Sequence, residues 1–420
     1  MVTATTADAP RRIELHEIGS TLPAKGRVLV AGASGESVTM ANAVMAAGAA
    51  VGALTFTGIF VPGLNRTTYL ANATCRVETF FLTPELKAAG AAVDFLPLCY
   101  NDVLSHLRSV TIDAALMMVS PPDANGLCSF GPCVDFLAEL WPQIPMRVAH
   151  INPLMPRTSG HQGIPFAEIT AFVEGDQVLL GIGDNGEDPT ATAIAGHVAA
   201  FIGDGATLQT GLGKVPSAVL LGLKHRRNLR IHSGLIGDAV VDLHEAGALA
   251  PGAAVTAGVA IGSARLYAAI CGAAYSFQPV SVTHSAQIIG DIPNFFAINS
   301  AMQVDLFGQA YSECGPTGLM SGPGGASDYA RAAKLAGGMR IVVLSACAAN
   351  GSIGRIVLPG CGAGPVSLGR MDTDVIVTEF GAADIRALTY DQRAEAIIAI
   401  AAPDHRDALR SGWRRQASKL

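Results

Sequence analysis

The stretch that decides the fold is residues 27–40, which read RVLVAGASGESVTM. Residues 27–31 form a short, mostly apolar run that is typical of a strand buried on both faces. A turn containing two glycines follows at residues 32–35, and an alanine-rich pattern after it predicts a long helix. A buried strand, a tight turn and a helix are the repeating parts of parallel α/β sheets.

The same alternation continues along the chain and predicts an α/β fold of two halves, each a mainly parallel sheet flanked by helices. The Gly- and Asp-rich crossing at residues 174–189 is the expected border, which gives domains at 10–187 and 188–420. The predicted helices are residues 190–201, 216–223 and 392–401. The predicted strands are residues 27–31, 50–57, 92–96, 114–119, 147–151, 169–173, 206–210, 229–232, 340–344 and 375–379.

The composition limits the function classes. The chain has 420 residues, half of them hydrophobic and 15% charged, so it can bury enough apolar surface to fold. Its formal net charge of -6 offers no basic field for nucleic acid. The longest uncharged run, residues 37–65, is interrupted by polar residues, Gly and Pro62, which argues against a membrane span.

The N-terminal residues and the cysteines point to a reducing compartment. Residues 1–19 carry several charges and no apolar core segment, so we expect no secretory signal and a cytoplasmic location. The eight cysteines show no CxxC pair and no spacing to histidine that suits zinc, so we expect reduced thiols and no metal site.

Three glycine clusters are candidate ligand loops. Residues 181–186 (GIGDNG) match a dinucleotide fingerprint, but acidic neighbours favour a plain connector in which Asp188 or Thr190 caps the next helix. Residues 211–216 (GLGKVP) lie between a predicted strand and a predicted helix, where free amide hydrogens can hold an anionic or carbonyl oxygen. Residues 321–325 (SGPGG) suit either a close approach of backbone to ligand or an ordinary turn.

Several ordered blocks of sequence resemble the acetyl-CoA hydrolase/transferase family, and most closely its butyryl and 4-hydroxybutyrate CoA-transferase type. The resemblance implies a two-domain CoA-transferase fold and an acyl-CoA substrate. It also implies no metal, no permanently bound cofactor apart from the coenzyme A of the substrate, and a homodimer or homotetramer. The blocks are residues 121–131 (PPDANGLCSFG), 152–160 (NPLMPRTSG), 211–219, 231–243, 298–309 (INSAMQVDLFGQ), 321–331, 377–381 (VTEFG) and 394–410.

One position departs from the family pattern. Relatives read HSEM where this chain reads His232-Ser233-Gly234-Leu235, so Gly234 occupies the place of the catalytic glutamate. In a CoA-transferase that carboxylate attacks the thioester and carries the acyl group and then the coenzyme. Glycine has no side chain to attack with, so the usual ping-pong mechanism cannot run through this position.

The remaining parts of the implied site are backbone donors. The resemblance places the turn at residues 211–216 and the loop at 322–325 around the thioester carbonyl, where amide hydrogens would form an oxyanion pocket. The residues expected to contact the substrate or coenzyme A are Gly211, Gly213, Val215, Gly234, Gly322, Gly324 and Gly325.

Four residues compete for the general base that a hydrolytic reaction needs. Glu379 follows an apolar strand in VTEFG, and Glu313 lies in YSECG, where relatives also tend to carry glutamate. His232 is two residues before the vacant position, and His284 stands where relatives more commonly have asparagine. Each also has an ordinary structural interpretation. Cys314 and Ser233 are further candidates for a replacement nucleophile.

The sequence therefore predicts an acyl-CoA-processing enzyme that has lost standard glutamyl transfer. We expect water-dependent chemistry, either thioester hydrolysis or, by analogy with other proteins of this fold, retro-Claisen carbon–carbon cleavage. Two alternatives stay open: a CoA-transferase that works by a non-standard route, and a non-catalytic CoA-binding subunit.

Overall fold

The computed structural model of this chain describes residues 9–183, 186, 188–315, 318–348 and 351–418. Two compact units result, one of residues 1–183 with 256–281 and one of 184–255 with 282–420. The predicted limits of 10–187 and 188–420 would place residues 256–281 in the second domain, but these residues lie in the first unit. This segment belongs to the first unit because the amide of Ala260 donates to Pro132 O at 2.8 Å and that of Phe277 to Ser159 O at 2.7 Å.

The first unit is built on an eight-stranded sheet in which every neighbouring pair is parallel. In space the strands follow the order β1-β8-β7-β6-β2-β3-β4-β5. The α-helices of this unit are Ile18–Thr21, Val38–Ala47, Pro84–Ala89, Tyr100–Ser109, Leu137–Leu140 and Ala264–Ala269. The strands are β1 Arg11–Arg12, β2 Lys25–Val30, β3 Ala53–Gly58, β4 Arg76–Thr79, β5 Val93–Phe95, β6 Ala114–Val119, β7 Met146–Ile151 and β8 Ala171–Glu174.

Six strands of the second unit lie side by side in an eight-stranded sheet; the first five in spatial order are parallel and the sixth, at the edge, is antiparallel. Their order in space is β10-β9-β11-β12-β13-β14. The longer helices of this unit are Pro189–Ala199, Lys214–Gly222, Ala239–Glu245, Ala286–Gly290, Ala326–Leu335, Tyr390–Ala399 and Pro403–Ala417. The strands are β9 Thr207–Thr210, β10 Arg230–Ile236, β11 Phe295–Ser300, β12 Met339–Val343, β13 Val375–Thr378 and β14 Gly381–Asp384.

The predicted α/β class with mainly parallel sheets is confirmed. Strand β6 has the predicted limits, and β2 begins two residues before its predicted start. The sequence analysis missed β11, a fully internal strand of the second sheet. Its residues FFAINS end in polar side chains that do not continue an apolar run, so the periodicity gave no clear signal.

Side-chain hydrogen bonds fix a helix start and a loop of the first unit. Ser37 accepts a hydrogen bond from the amide of Met40 at 3.0 Å and so caps the helix that the opening stretch predicts. Arg157 donates to the carbonyl of Pro121 at 2.7 Å and to that of Leu127 at 3.0 Å, and it pairs with Asp123 at 3.4 Å. Arg157 therefore holds the loop at residues 121–127 in place.

Within the described ranges, every helix is too short or too polar to cross a lipid bilayer. The eight cysteines are free thiols, of which Cys75, Cys128 and Cys133 are buried.

Asp135 is an unusual buried carboxyl group in the first unit. It is 6% exposed, has a positive φ of 33°, and its Oδ1 atom has no hydrogen-bond partner. Burial, and next the charge of Glu139, raise the pKa of Asp135 to about 8. An acid with a raised pKa binds a proton more tightly in the folded than in the unfolded chain, so its ionisation opposes folding.

We predict that Asp135→Asn flattens the dependence of stability on pH. In the native chain, ionisation of Asp135 lowers the free energy of unfolding as pH rises from about 4 to 8, by at most about 1.4 kcal/mol per pH unit. The amide cannot ionise, so the variant should gain stability over the native chain at pH 8 and much less at pH 5. Chemical denaturation at both pH values measures this, with Asp94→Asn as the exposed control. An equal change at both pH values would contradict the prediction.

Candidate active site

The candidate residues of the second unit gather at one edge of its sheet. Because β10, β9, β11, β12 and β13 are parallel, their carboxyl ends lie at the same edge, where open α/β sheets bind their ligands. Gly211 follows β9 and Glu379 follows β13, while Gly234 lies in the second half of β10. Ser233 Oγ donates to Thr210 O at 3.0 Å, which places Gly234 beside the turn that begins at Gly211.

The glycine turn after β9 leads directly into a helix. The helix begins at Lys214, two residues before its predicted start at Pro216, which is its third residue. Its N-cap is Gly213, whose φ of 117° lies in a region that favours glycine, and no side chain caps the first amides. A Cβ atom at Gly211 would meet nothing within 4 Å, so the turn is open enough for a ligand oxygen to approach these amides.

A cleft of about 460 Å³ opens beside this helix start. Val215, one of the predicted contact residues, and Glu379, one of the predicted bases, both line it. The cleft is also lined by four residues that follow β12 and by residues at the starts of two other helices. The other lining residues are Asp188, Thr190, Ala191, Ser345, Cys347, Ala348, Gly351, Phe380, Ala402, Pro403, Asp404 and His405.

Glu379 is half-buried in the cleft and its orientation is fixed. Its Oε2 atom accepts the amide of Ala346 at 2.8 Å, which leaves Oε1 for another partner. Burial, and next the Glu379 charge, raise the pKa of the neighbouring Cys347 thiol. The arrangement brings a carboxylate, a protonated thiol and the uncapped helix start to one cleft.

Gly234 lies against an imidazole ring. A Cβ atom built on Gly234 would be 2.5 Å from Cε1 and 2.7 Å from Nε2 of His284. A Cβ atom on Gly325 would lie 2.7 Å from the same Nε2 atom, so His284 is held between two glycines. Contacts this short do not occur between real atoms, so the ring occupies the space that any side chain at position 234 would need.

His284 is buried, 2% exposed, and neutral. Burial, and next the charge of His232, lower its pKa to about 3. Its Nδ1 atom is 3.0 Å from Thr283 Oγ1, and His232 Nε2 is 3.1 Å from Thr283 O. The ring of Tyr329 packs on His284 with centroids 4.8 Å apart. The two predicted histidines are therefore buried together beside Gly234, which is half-buried.

The other predicted candidates do not line the cleft. Glu313 is 4% exposed and accepts Ser367 Oγ at 2.8 Å, which ties it to another loop. Cys314 lies against Gly364, where a Cβ atom would be 2.4 Å from its sulfur. Within the described ranges, no three His, Cys, Asp or Glu side chains are grouped to hold a metal ion.

The two remaining glycine clusters differ. Gly324 has a φ of 62°, and Gly325 is the N-cap of helix Ala326–Leu335, which brings the loop at 322–325 to the His284 cluster. In the fingerprint at 181–186, Asp184 and Asn185 lie outside the described residues, as does the following Glu187. Asp188 caps helix Pro189–Ala199 by accepting the amides of Thr190 and Ala191. The interpretation of residues 181–186 as a plain connector predicts this capping by Asp188.

Sequence reasoning missed four side chains of the cleft. Ser345 and Cys347 come just after the carboxyl end of β12, and that position alone marks them as candidates. Asp404 and His405 lie in the first turn of the last helix, inside the block at 394–410, but the resemblance of that block assigned them no role.

The two α/β units with mainly parallel sheets agree with the two-domain CoA-transferase fold that the resemblance implies. The family profile for the acetyl-CoA hydrolase/transferase C-terminal domain matches residues 262–412. The 4-hydroxybutyrate coenzyme A transferase of Clostridium kluyveri is 35% identical over 340 residues, which are 77% of this chain and 78% of that one. This chain belongs to the acetyl-CoA hydrolase/transferase family.

Two solved structures are similar over nearly the whole chain. RipA from Yersinia pestis has a TM-score of 0.90 at 26% identity, and the alignment covers 97% of this chain and 98% of that one. The 4-hydroxybutyrate CoA-transferase from Porphyromonas gingivalis has a TM-score of 0.80 at 28% identity, again over 97% and 98%.

We predict that Gly234→Ala destabilises the chain through His284. The added methyl overlaps the ring, and overpacking of this kind costs about 1 to 3 kcal/mol. In a double-mutant cycle on the free energy of unfolding, His284→Asn should relieve part of the loss, because the shorter side chain leaves room. Gly211→Ala is the matched control, since a methyl there meets no atom within 4 Å. Additive effects of the two changes would show that the ring is not the obstacle.

Proposed function

We propose that this protein hydrolyses an acyl-CoA thioester and uses water where relatives of the CoA-transferase type use a glutamate. The observation that carries the proposal is the position of His284, whose ring fills the space beside Gly234. A carboxylate cannot extend from position 234 while that ring is in place. The acyl group must then pass to something other than residue 234.

The cleft supports a hydrolytic route. The thioester oxygen would accept hydrogen bonds from the uncapped amides at the start of helix Lys214–Gly222, which stabilise the negative charge of a tetrahedral adduct. Glu379 would take a proton from the attacking water through its Oε1 atom while Ala346 holds Oε2. The carbon–sulfur bond then breaks, the proton passes to the thiolate, and a carboxylic acid and free coenzyme A leave.

Transfer by another route is the second candidate, and one observation favours it. The Cys347 thiol lines the same cleft as Glu379, where it could exchange with the thioester without a change in bond type. Burial and the nearby carboxylate raise its pKa, however, so little reactive thiolate forms at neutral pH. We therefore place hydrolysis first.

Several finer expectations accompany this proposal. Carbon–carbon cleavage of an acyl-CoA would use the same oxygen site and the same water. A catabolic role, a cytoplasmic location and a homodimer or homotetramer stay predictions from the sequence.

The purified protein should release free coenzyme A thiol from a panel of acyl-CoAs at a rate that does not depend on added acetate. Thiol release and acyl exchange are followed separately, by thiol titration and by chromatography of the acyl-CoAs. Glu379→Gln should lower the rate of thiol release by about a hundredfold or more, because the amide cannot accept the proton. Glu313→Gln is the matched control, since Glu313 lies outside the cleft.

Three results would contradict the proposal. Exchange that requires acetate would indicate transfer. No turnover in either assay, with acyl-CoA still bound, would indicate a binding subunit. A full rate in Glu379→Gln would remove that residue from the chemistry.

The double change Gly234→Glu with His284→Asn should introduce acetate-dependent exchange, whereas Gly234→Glu alone should not. The single change places a carboxylate against the ring, and the second change removes the ring. Borohydride trapping of a glutamyl-CoA thioester in the double variant checks the chemistry directly. Exchange by the single variant would show that His284 is no barrier.

A further inference from the structure

We propose that the cleft beside Glu379 holds the acyl group and selects acyl groups without charge over those that end in a carboxylate, with Asp404 as a specificity-determining residue. This inference rests on the proposed acyl-CoA chemistry of the same site and names the class of substrate. It assigns a task to Asp404, which the route above does not use.

The walls and the position of the cleft suit an acyl chain. Val215 lies in the first turn of the helix whose uncapped amides would hold the thioester oxygen. Ala191, Ala348, Phe380 and Ala402 add apolar surface to the same cleft. A volume of about 460 Å³ lies within the range of small-molecule pockets, so a short chain fits beyond the thioester carbon.

The charges of the cleft are negative. Among the described residues neither Glu379 nor Asp404 forms an ion pair, and both line the cleft. Asp188, a third lining carboxylate, pairs with Lys214 at 3.9 Å. No lysine or arginine side chain is among the residues that line the cleft within the described ranges.

The cations next to the cleft already have partners, as Lys214 does in Asp188. Arg355 donates to Ser345 Oγ at 3.1 Å, and Arg406 lies over the ring of Phe380 with its guanidinium carbon 5.8 Å from the centroid while donating to Ala401 O at 2.8 Å. A carboxylate at the end of an acyl chain would therefore meet like charge and no free cation. Repulsion of this kind between solvent-screened groups changes binding by about two- to fivefold.

Asp404 acts across the cleft. It is the second residue of helix Pro403–Ala417, and an acidic side chain in the first turn interacts favourably with the helix dipole. Burial and the charge of Glu379 raise the pKa of the Cys347 thiol, the charge of Arg355 lowers it, and the charge of Asp404 raises it by a smaller amount. The charge of Asp404 therefore acts on a thiol that lines the same cleft.

The test compares butyryl-CoA with succinyl-CoA, whose acyl chains have equal length and differ in a terminal carboxylate. The native chain should favour butyryl-CoA by about fivefold in Kd and in kcat/KM. Asp404→Asn should reduce this preference by about two- to fivefold in both quantities, and added salt should shrink the effect. Asp407→Asn, on the exposed side of the same helix, is the matched control and should leave the ratio unchanged.

Equal Kd values for the two thioesters in the native chain would overturn this inference, as would a ratio that Asp404→Asn and Asp407→Asn change alike. Because Kd is measured by calorimetry without turnover, the inference is decided even if the protein hydrolyses neither compound. Absence of turnover with normal binding selectivity would instead count against the proposed function alone.

Discussion

The parallel pairing of β10, β9, β11, β12 and β13 is the constraint on which the candidate site depends. Parallel strands place all their carboxyl ends at one edge, so residues separated by up to 168 positions, from Gly211 to Glu379, come to one side of the second unit. The glycine turn after β9 and the carboxylate after β13 lie on the same side of the sheet only because both follow strands that end at this edge. A sheet of mixed direction would send them to opposite ends.

Around that edge the polar groups divide into two settings. In the cleft, Glu379 and Cys347 are half-buried, Asp404 is exposed, and all three line the same space as an uncapped helix start. In the buried cluster, His232 and His284 are both held neutral by burial, which lowers their pKa values. The groups in the cleft can exchange protons with a substrate, whereas the buried neutral histidines define the shape of the space beside Gly234.

The sequence predicted the fold class well because buried parallel strands leave short apolar runs, as at 27–31 and 114–119. It placed Val215 and Glu379 among the candidates, since both follow strands in recognisable motifs. It did not place His284 against Gly234, because a contact between residues 50 positions apart depends on how two loops pack. For the same reason the sequence did not predict that Asp404 lines the cleft. It also did not predict that residues 256–281, which interrupt the second unit in the chain, belong to the first unit.

The histidine held between Gly234 and Gly325 also constrains which substitutions this chain can accept. A chain with a larger residue at 234 would need a smaller neighbour at 284, so substitutions at the two positions depend on each other. With the ring in place, a larger residue at 234 alone is blocked sterically, and only paired changes are open to this site.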